Sequence, residues 1–194
     1  MRQGTLTVIT GPMKSGKSEE LARRIRRFRL AKKKAVVFTP DLDRHFEKGG
    51  IEGRDGGKAE CVRIPYRCPW YIKALVADDD VVVVIDEAQF FESEDKSNGI
   101  AAIATAYRDA GKVVIVAGLD LDSDGNAFGE MPELMAQADY VVKLKAVCED
   151  CGADAGYTAA NFDKTERISI PEEGYVAVCR PCFLRRQRER KKHE

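Results

Sequence analysis

The amino-acid sequence predicts an α/β fold: a parallel β-sheet with helices on both faces, followed by a small unit held together by cysteines. Three observations predict it. Short apolar, β-branched runs alternate with helix-period segments, as strands buried on both faces of a parallel sheet do. The first run enters a glycine-rich loop, GPMKSGKS, that opens a helix. Towards the C-terminal end, two C-x-x-C pairs bracket a long polar stretch.

The elements follow in order. TLTVIT (Thr5 to Thr10) reads as a buried strand, and SEELARRIRRFRLAKKK after the loop as a helix, with Leu21, Ile25 and Phe28 at helical spacing. AVVFTP is a second strand, which Pro40 is expected to stop. Residues 41 to 58, rich in glycine and charge, read as a long mobile loop. Trp70 to Val76 reads as a short helix, and VVVVID as the third strand. Asn98 to Ala110 reads as a helix ended by Gly111. KVVIVAG and YVVKLK supply the fourth and fifth strands. The texture changes after Lys145, which predicts two domains, 1–145 and 146–194. No helix is expected between the cysteine pairs.

Composition narrows the function. The 194 residues suffice for one full core and a small appended module. Lys+Arg and Asp+Glu each total 32, so no net field draws the chain to nucleic acid or lipid. The run into TLTVIT has no signal-peptide pattern, no apolar stretch is long enough to span a membrane, and a cytoplasmic enzyme or binding protein is expected. The tail RRQRERKKHE reads as a solvated or frayed terminus; it lacks the interleaved aromatics of a base-stacking surface.

Chemistry concentrates in three places. Gly11, Pro12, Met13, Lys14, Ser15, Gly16, Lys17 and Ser18 match G-x-x-x-x-G-K-[ST] in full, between a strand and a helix. Backbone N–H groups of such a loop turn inward around phosphate, and the helix N-terminus adds favourable partial charge. Lys17 is expected on the β- and γ-phosphates of ATP and Ser18 on Mg²⁺. In VVVVIDEAQFF, Asp86 ends a strand at the carboxyl edge of the sheet, a magnesium-holding position in P-loop proteins. Glu87 follows, and spacing leaves open whether it serves a water or a substrate hydroxyl. Phe90 and Phe91 fit either a core or a surface against which a planar substrate packs. Cys148, Cys151, Cys179 and Cys182 suit a four-thiolate structural zinc site without an open position. Such a site would staple the ends of the 152–178 insert, which could then close over a ligand.

Taken together, GPMKSGKS, IDEAQFF, GLDLDSDGNAFG, KLKAVCEDCGADAGYT and YVAVCRPC resemble, in order and over nearly the whole chain, the type II thymidine kinase family. The resemblance implies a P-loop NTPase (RecA-like) α/β domain and a small zinc domain whose loop, the lasso, closes over a nucleoside. It implies transfer of the γ-phosphoryl of ATP, with Mg²⁺, to the 5′-hydroxyl of thymidine, giving dTMP and ADP, or to that of deoxyuridine, giving its own monophosphate and ADP. Glu87 then corresponds to the catalytic base, and Asp86 to a cofactor-site carboxylate. Met13, Gln89, Phe90, Phe128, Thr158 and Tyr175 correspond to the nucleoside site; Arg54 and Asp55 resemble a motif near the phosphates. A homotetramer inhibited by dTTP is also implied, with no membrane or nucleic-acid partner. The chain departs from the pattern at Ser123, where an aromatic is usual, at Ala127, where a proline is usual, and at Ile170-Pro171, where two glycines are usual. Proline offers no N–H, so the lasso must follow another path there. Three alternatives remain: a zinc-bearing P-loop ATPase acting on nucleic acid, a nucleoside kinase of shifted base specificity, and a nucleotide-sensing module without turnover.

Overall fold

The computed structural model describes residues 3–42, 51–52, 58–59, 61–79, 81–161 and 174–190. Arg54, Asp55, Ile170 and Pro171 lie outside them. In chain order the elements are β1 (Thr5–Thr10), α1 (Lys17–Leu30), β2 (Ala35–Asp41), β3 (Ile51–Glu52), β4 (Lys58–Ala59), β5 (Cys61–Pro65) and α2 (Tyr71–Leu75). Then come β6 (Val82–Ile85), α3 (Ile100–Asp109), β7 (Val113–Gly118), α4 (Met131–Gln137) and β8 (Tyr140–Lys143). The chain continues with β9 (Ala146–Val147), β10 (Asp154–Ala155), β11 (Tyr157–Ala160), β12 (Tyr175–Val178) and α5 (Arg180–Arg190).

Six strands form one sheet in the order β5-β2-β6-β7-β1-β8, and every pairing is parallel. Alternate residues of the central strands feed two cores. Val83 and Ile85 of β6 join Val114 and Val116 of β7, Phe38, Ile72, Ile100, Ile103 and Leu134 on the face covered by α2, α3 and α4. Val82 and Val84 join Ile115, Ala117, Leu21 and Ile25 on the face covered by α1. This is why VVVVI carries no polar alternation: both of its faces leave water.

Pro40 does not stop the second strand. It lies within β2, in register with Ile64 of β5. β6 accompanies β2 only as far as Phe38, whose carbonyl accepts the Asp86 N–H. Beyond that point one flank of β2 needs no donor, so the missing proline N–H costs no ladder bond. The first helix ends at Leu30, short of the expected AKKK. Lys33 N–H donates to Phe28 C=O and Lys32 N–H to Arg29 C=O, a Schellman closure with Lys32 at φ 54°.

A separate cluster of buried residues, including Ala155, Val176, Val178, Cys148, Cys182 and Phe183, gathers between 146 and 183. It lies around the pairs β9–β10 and β11–β12, with α5 against it. Among the described residues no helix is long and apolar enough to cross a membrane.

Candidate active site

The carboxyl ends of β1, β6 and β7 place the candidate residues together. The loop leaving β1 winds through Gly11 at φ 141°, Lys14 at φ 61° and Gly16 at φ 84° before α1 begins. Gly11 is obligatory here on two counts: its φ is left-handed, and a Cβ would stand 2.5 Å from the Leu144 carbonyl oxygen. Lys17 Nζ turns back to donate to the Pro12 carbonyl at 2.8 Å. Burial lowers its pKa from the ordinary lysine value, against the opposing pull of Glu87, Asp86 and Asp120. Ser15 Oγ is the one buried side-chain polar atom without a hydrogen-bond partner among the described residues. A buried hydroxyl of this kind inside an N–H-rich turn fits an anion seated in the loop. Ser18 stands exposed in the first turn of α1, free to face a cation beside such an anion.

At the end of β6 the acidic pair diverges. Asp86 is pushed up to about 7 by burial and by the charge of Glu87, and its Oδ1 accepts the Glu87 N–H at 3.0 Å. Glu87 itself has φ 51° and ψ 39°, a left-handed conformation that a side chain bearing Cβ adopts at a cost. Gln89, almost fully buried, donates from Nε2 to Glu87 Oε2 at 2.6 Å and accepts the Leu119 N–H at 3.0 Å on Oε1. Its amide thus orients Glu87 and ties it to the end of β7, with one N–H and one lone pair left over. Phe91 is buried in the core, whereas Phe90 is half-buried and meets Phe128 edge to face, with ring centroids 5.4 Å apart.

Asp120, at the end of β7, was not singled out from sequence. It is 4% exposed, accepts from Thr10 Oγ1 at 3.0 Å and pairs with Lys143 at 2.6 Å. Its signal lay in GLDLDSDGNAFG, among other acidic residues that spacing could not rank. Glu149, inside the first cysteine pair, was also missed. Its Oε1 accepts from Lys14 Nζ at 2.9 Å and from the Ala177 N–H at 3.0 Å. Thr158, on β11, accepts the Met13 N–H at 3.0 Å, so two residues of the phosphate loop are tied to the C-terminal unit. Tyr175 opens β12 opposite Ala160.

The four cysteine sulfurs lie within 4.8 Å of one another, and Cys151 and Cys179 approach to 3.5 Å. Four thiolates around a tetrahedral zinc stand roughly 3.8 Å apart, and a disulfide would need about 2.05 Å. Burial works against a charged Cys148, yet the N–H groups of Cys179, Asp150 and Cys151 outweigh it and bring the thiol to about 6. Cys182, hydrogen-bonded to Cys179 and buried, is pushed up to about 12. Four sulfurs this close, three of them buried, cannot all carry negative charge unaided, and a divalent cation among them removes that conflict. The donor set fits zinc.

A loop built to enclose phosphate at the head of a parallel sheet is what P-loop nucleotide-binding proteins share, and this chain is one of them. Its architecture is similar to that of the genome packaging NTPase B204 from Sulfolobus turreted icosahedral virus 2. With the AMPPCP complex the TM-score is 0.50 at 20% identity, over 73% of this chain and 76% of that chain. With the ATP-gammaS complex it is 0.49 at 20% identity, over 74% and 75%. At such identity the likeness is one of fold.

The family model described as thymidine kinase matches residues 4–183, and the chain belongs to that family. Phosphoryl transfer from a nucleoside triphosphate to a nucleoside is therefore its class of reaction.

Proposed function

We propose that the protein is a thymidine kinase that transfers the γ-phosphoryl group of ATP to the 5′-hydroxyl of thymidine or deoxyuridine. The observation that carries the reading is the Gln89–Glu87 hydrogen bond at the end of β6, beside the phosphate-loop lysine and next to Phe90. A hydrolase needs only a positioned water; a carboxylate locked by a buried amide next to exposed ring surface suits a nucleoside hydroxyl.

In this reading residues 11–18 wrap the triphosphate, and Lys17 exchanges the Pro12 carbonyl for phosphate oxygen. Magnesium, held by Ser18 and by Asp86 through water, would neutralise phosphate charge. Phe90, Phe128 and Tyr175 grip the base, with Met13, Gln89 and Thr158 around it. Arg54 and Asp55 serve near the phosphates. Glu87 Oε accepts the 5′-hydroxyl proton as the sugar oxygen attacks in line. Most of the rate comes from positioning and charge neutralisation, less from the base. Residues 1–145 act as the catalytic unit and 146–194 as the zinc-held lasso unit, in a cytoplasmic homotetramer restrained by dTTP in nucleotide salvage.

The test is a panel of nucleosides with ATP and Mg²⁺, followed for monophosphate. Thymidine and deoxyuridine are expected to give product and deoxycytidine little. ATP hydrolysis stimulated by DNA, with no nucleoside monophosphate formed, would replace this reading with the nucleic-acid ATPase.

A further inference from the structure

The loop that carries Phe128 is held from outside itself. Internally it closes on Asp122, which is 5% exposed: Oδ1 accepts the N–H groups of Asp124 and Asn126, each at 2.9 Å. Asp122 N–H donates to the Asn126 carbonyl, Leu121 bridges Ala127, and Phe128 N–H donates to the Asp120 carbonyl. These bonds shape the loop and, through Asp120, fix its base on Thr10 and Lys143, but they do not hold its tip. The tip is held by α5, which begins inside the second cysteine pair. Gln187 Nε2 donates to the Asp124 carbonyl at 2.7 Å, and Arg190 Nη1 stands 3.5 Å from Asp124 Oδ1. At the tip, Gly125 has φ +85°, and a Cβ there would lie 3.0 Å from Cε1 and Cζ of Phe183. The loop thus rests its backbone directly on that ring.

α5 is in turn fixed to the metal unit. Cys182 lies in its first turn, Phe183 stacks on Tyr157 with centroids 4.7 Å apart, and Arg185 and Arg186 both pair with Asp150 between Cys148 and Cys151. The chain of contact runs from the cysteine cluster through α5 and the tip Asp124–Gly125 to Phe128, and from there to Phe90.

We propose that α5 is a positioning element for the nucleoside pocket: Phe183, Gln187 and Arg190 set where Phe128 stands, so the fit to the base is adjusted from the zinc unit. This rests on the kinase reading above. Its logic is that Gln187 and Arg190 touch the loop tip, so removing them displaces Phe128 while leaving intact the Met13–Thr158 and Lys14–Glu149 contacts that tie the phosphate loop to the same unit.

The experiment compares wild type with Gln187→Ala/Arg190→Ala and, separately, Gly125→Ala. The surface double variant removes no core atom, so folding is retained. Nucleoside KM is expected to rise roughly 3- to 10-fold, with ATP KM within about 2-fold and the melting temperature unmoved. Amide exchange at 122–128 should quicken by about 10-fold or more. Gly125→Ala should raise nucleoside KM too, and Phe183→Leu combined with it should recover part of the loss. An unchanged nucleoside KM overturns the proposal whatever exchange does, as does a parallel rise of both KM values with a fall in melting temperature. Should the wild type turn over no nucleoside, the kinase reading falls by itself. Exchange then decides α5: quickened exchange sustains it as the loop's anchor, and unaltered exchange overturns it.

Discussion

At Glu87 a non-glycine residue occupies left-handed backbone in the turn after β6, and its side chain is locked by Gln89. Strain of this kind persists only where surrounding structure over-determines it, and Gln89 is doubly bonded and buried. Glu87→Gln is expected to lower kcat by roughly 10²- to 10⁴-fold while thymidine and ATP dissociation constants stay within about 3-fold. Single-turnover kinetics with equilibrium binding separates the two. Asp86 makes a different prediction. Its folded pKa of about 7 lies above the ordinary 3.8, because burial and Glu87 disfavour its charge. The folded state therefore binds the proton more tightly than the unfolded chain does. Stability from this group is fully present below pH 3.8 and is lost as pH rises towards about 7. Without magnesium or nucleotide, and with the cysteine site left loaded, Asp86→Asn should raise the melting temperature more at pH 8 than at pH 5. An equal gain at both would contradict the assignment. Among the residues read from sequence, the phosphate loop was legible from spacing and context, whereas spacing left the role of Glu87 open and only the family resemblance assigned it. Asp120 and Glu149 did not stand out, because their partners Lys143, Lys14 and Ala177 are remote in the chain.

At the level of elements, helix ends and the C-terminal helix are instructive. α3 closes with Gly111 at φ 82°, whose N–H meets the Arg108 carbonyl while Lys112 N–H meets that of Tyr107. α1 closes by the same pattern with a lysine in the glycine position. A side chain in left-handed backbone costs on the order of 1 kcal/mol. Lys32 is exposed, so Lys32→Gly should stabilise the protein by roughly 0.5–1 kcal/mol, read as a higher urea midpoint at unchanged slope. The helical register of α1 was legible because Leu21 and Ile25 face one core, but its end was not, since a lysine seldom signals a stop. α5 was illegible for another reason. Only Cys182 and Phe183 of it are buried, so it has no apolar stripe. The cysteine cluster, Asp150 and the loop tip hold it instead. Its arginines, which invite a nucleic-acid reading, include Arg185 and Arg186 paired to Asp150 and Arg190 paired to Asp124. β5 and α4 were likewise too short and too lightly patterned to read.

Over the whole molecule, the parallel sheet and the cysteine unit meet at the phosphate loop, through Met13–Thr158 and Lys14–Glu149. The second contact is an exposed ion pair, worth at most about 1 kcal/mol. The first satisfies the hydroxyl of buried Thr158 with a half-buried N–H and matters more. Stripping zinc with a strong chelator should therefore disorder the unit around Cys148, Cys151, Cys179 and Cys182 before the sheet melts. A two-step thermal transition in chelator, against one step with zinc restored, is the expected result by far-UV circular dichroism. Nucleoside turnover should vanish in the stripped protein while nucleotide affinity falls less. A single unaltered transition would mean that the cysteines hold no structural metal.

What the sequence alone determined is whatever nearest neighbours along the chain control: the buried runs of the sheet, the phosphate loop between strand and helix, and the paired cysteine spacing. Each is a local pattern whose physics is complete within about ten residues. Tertiary structure decided the rest. Pro40 stays in a strand because β6 has already turned away, and Gln89 serves Glu87 because Leu119 holds its other end. The tip of the loop bearing Phe128 rests on the ring of Phe183, far along the chain. Partners so distant in the chain leave no periodicity to read; they become neighbours only when burial brings their elements together.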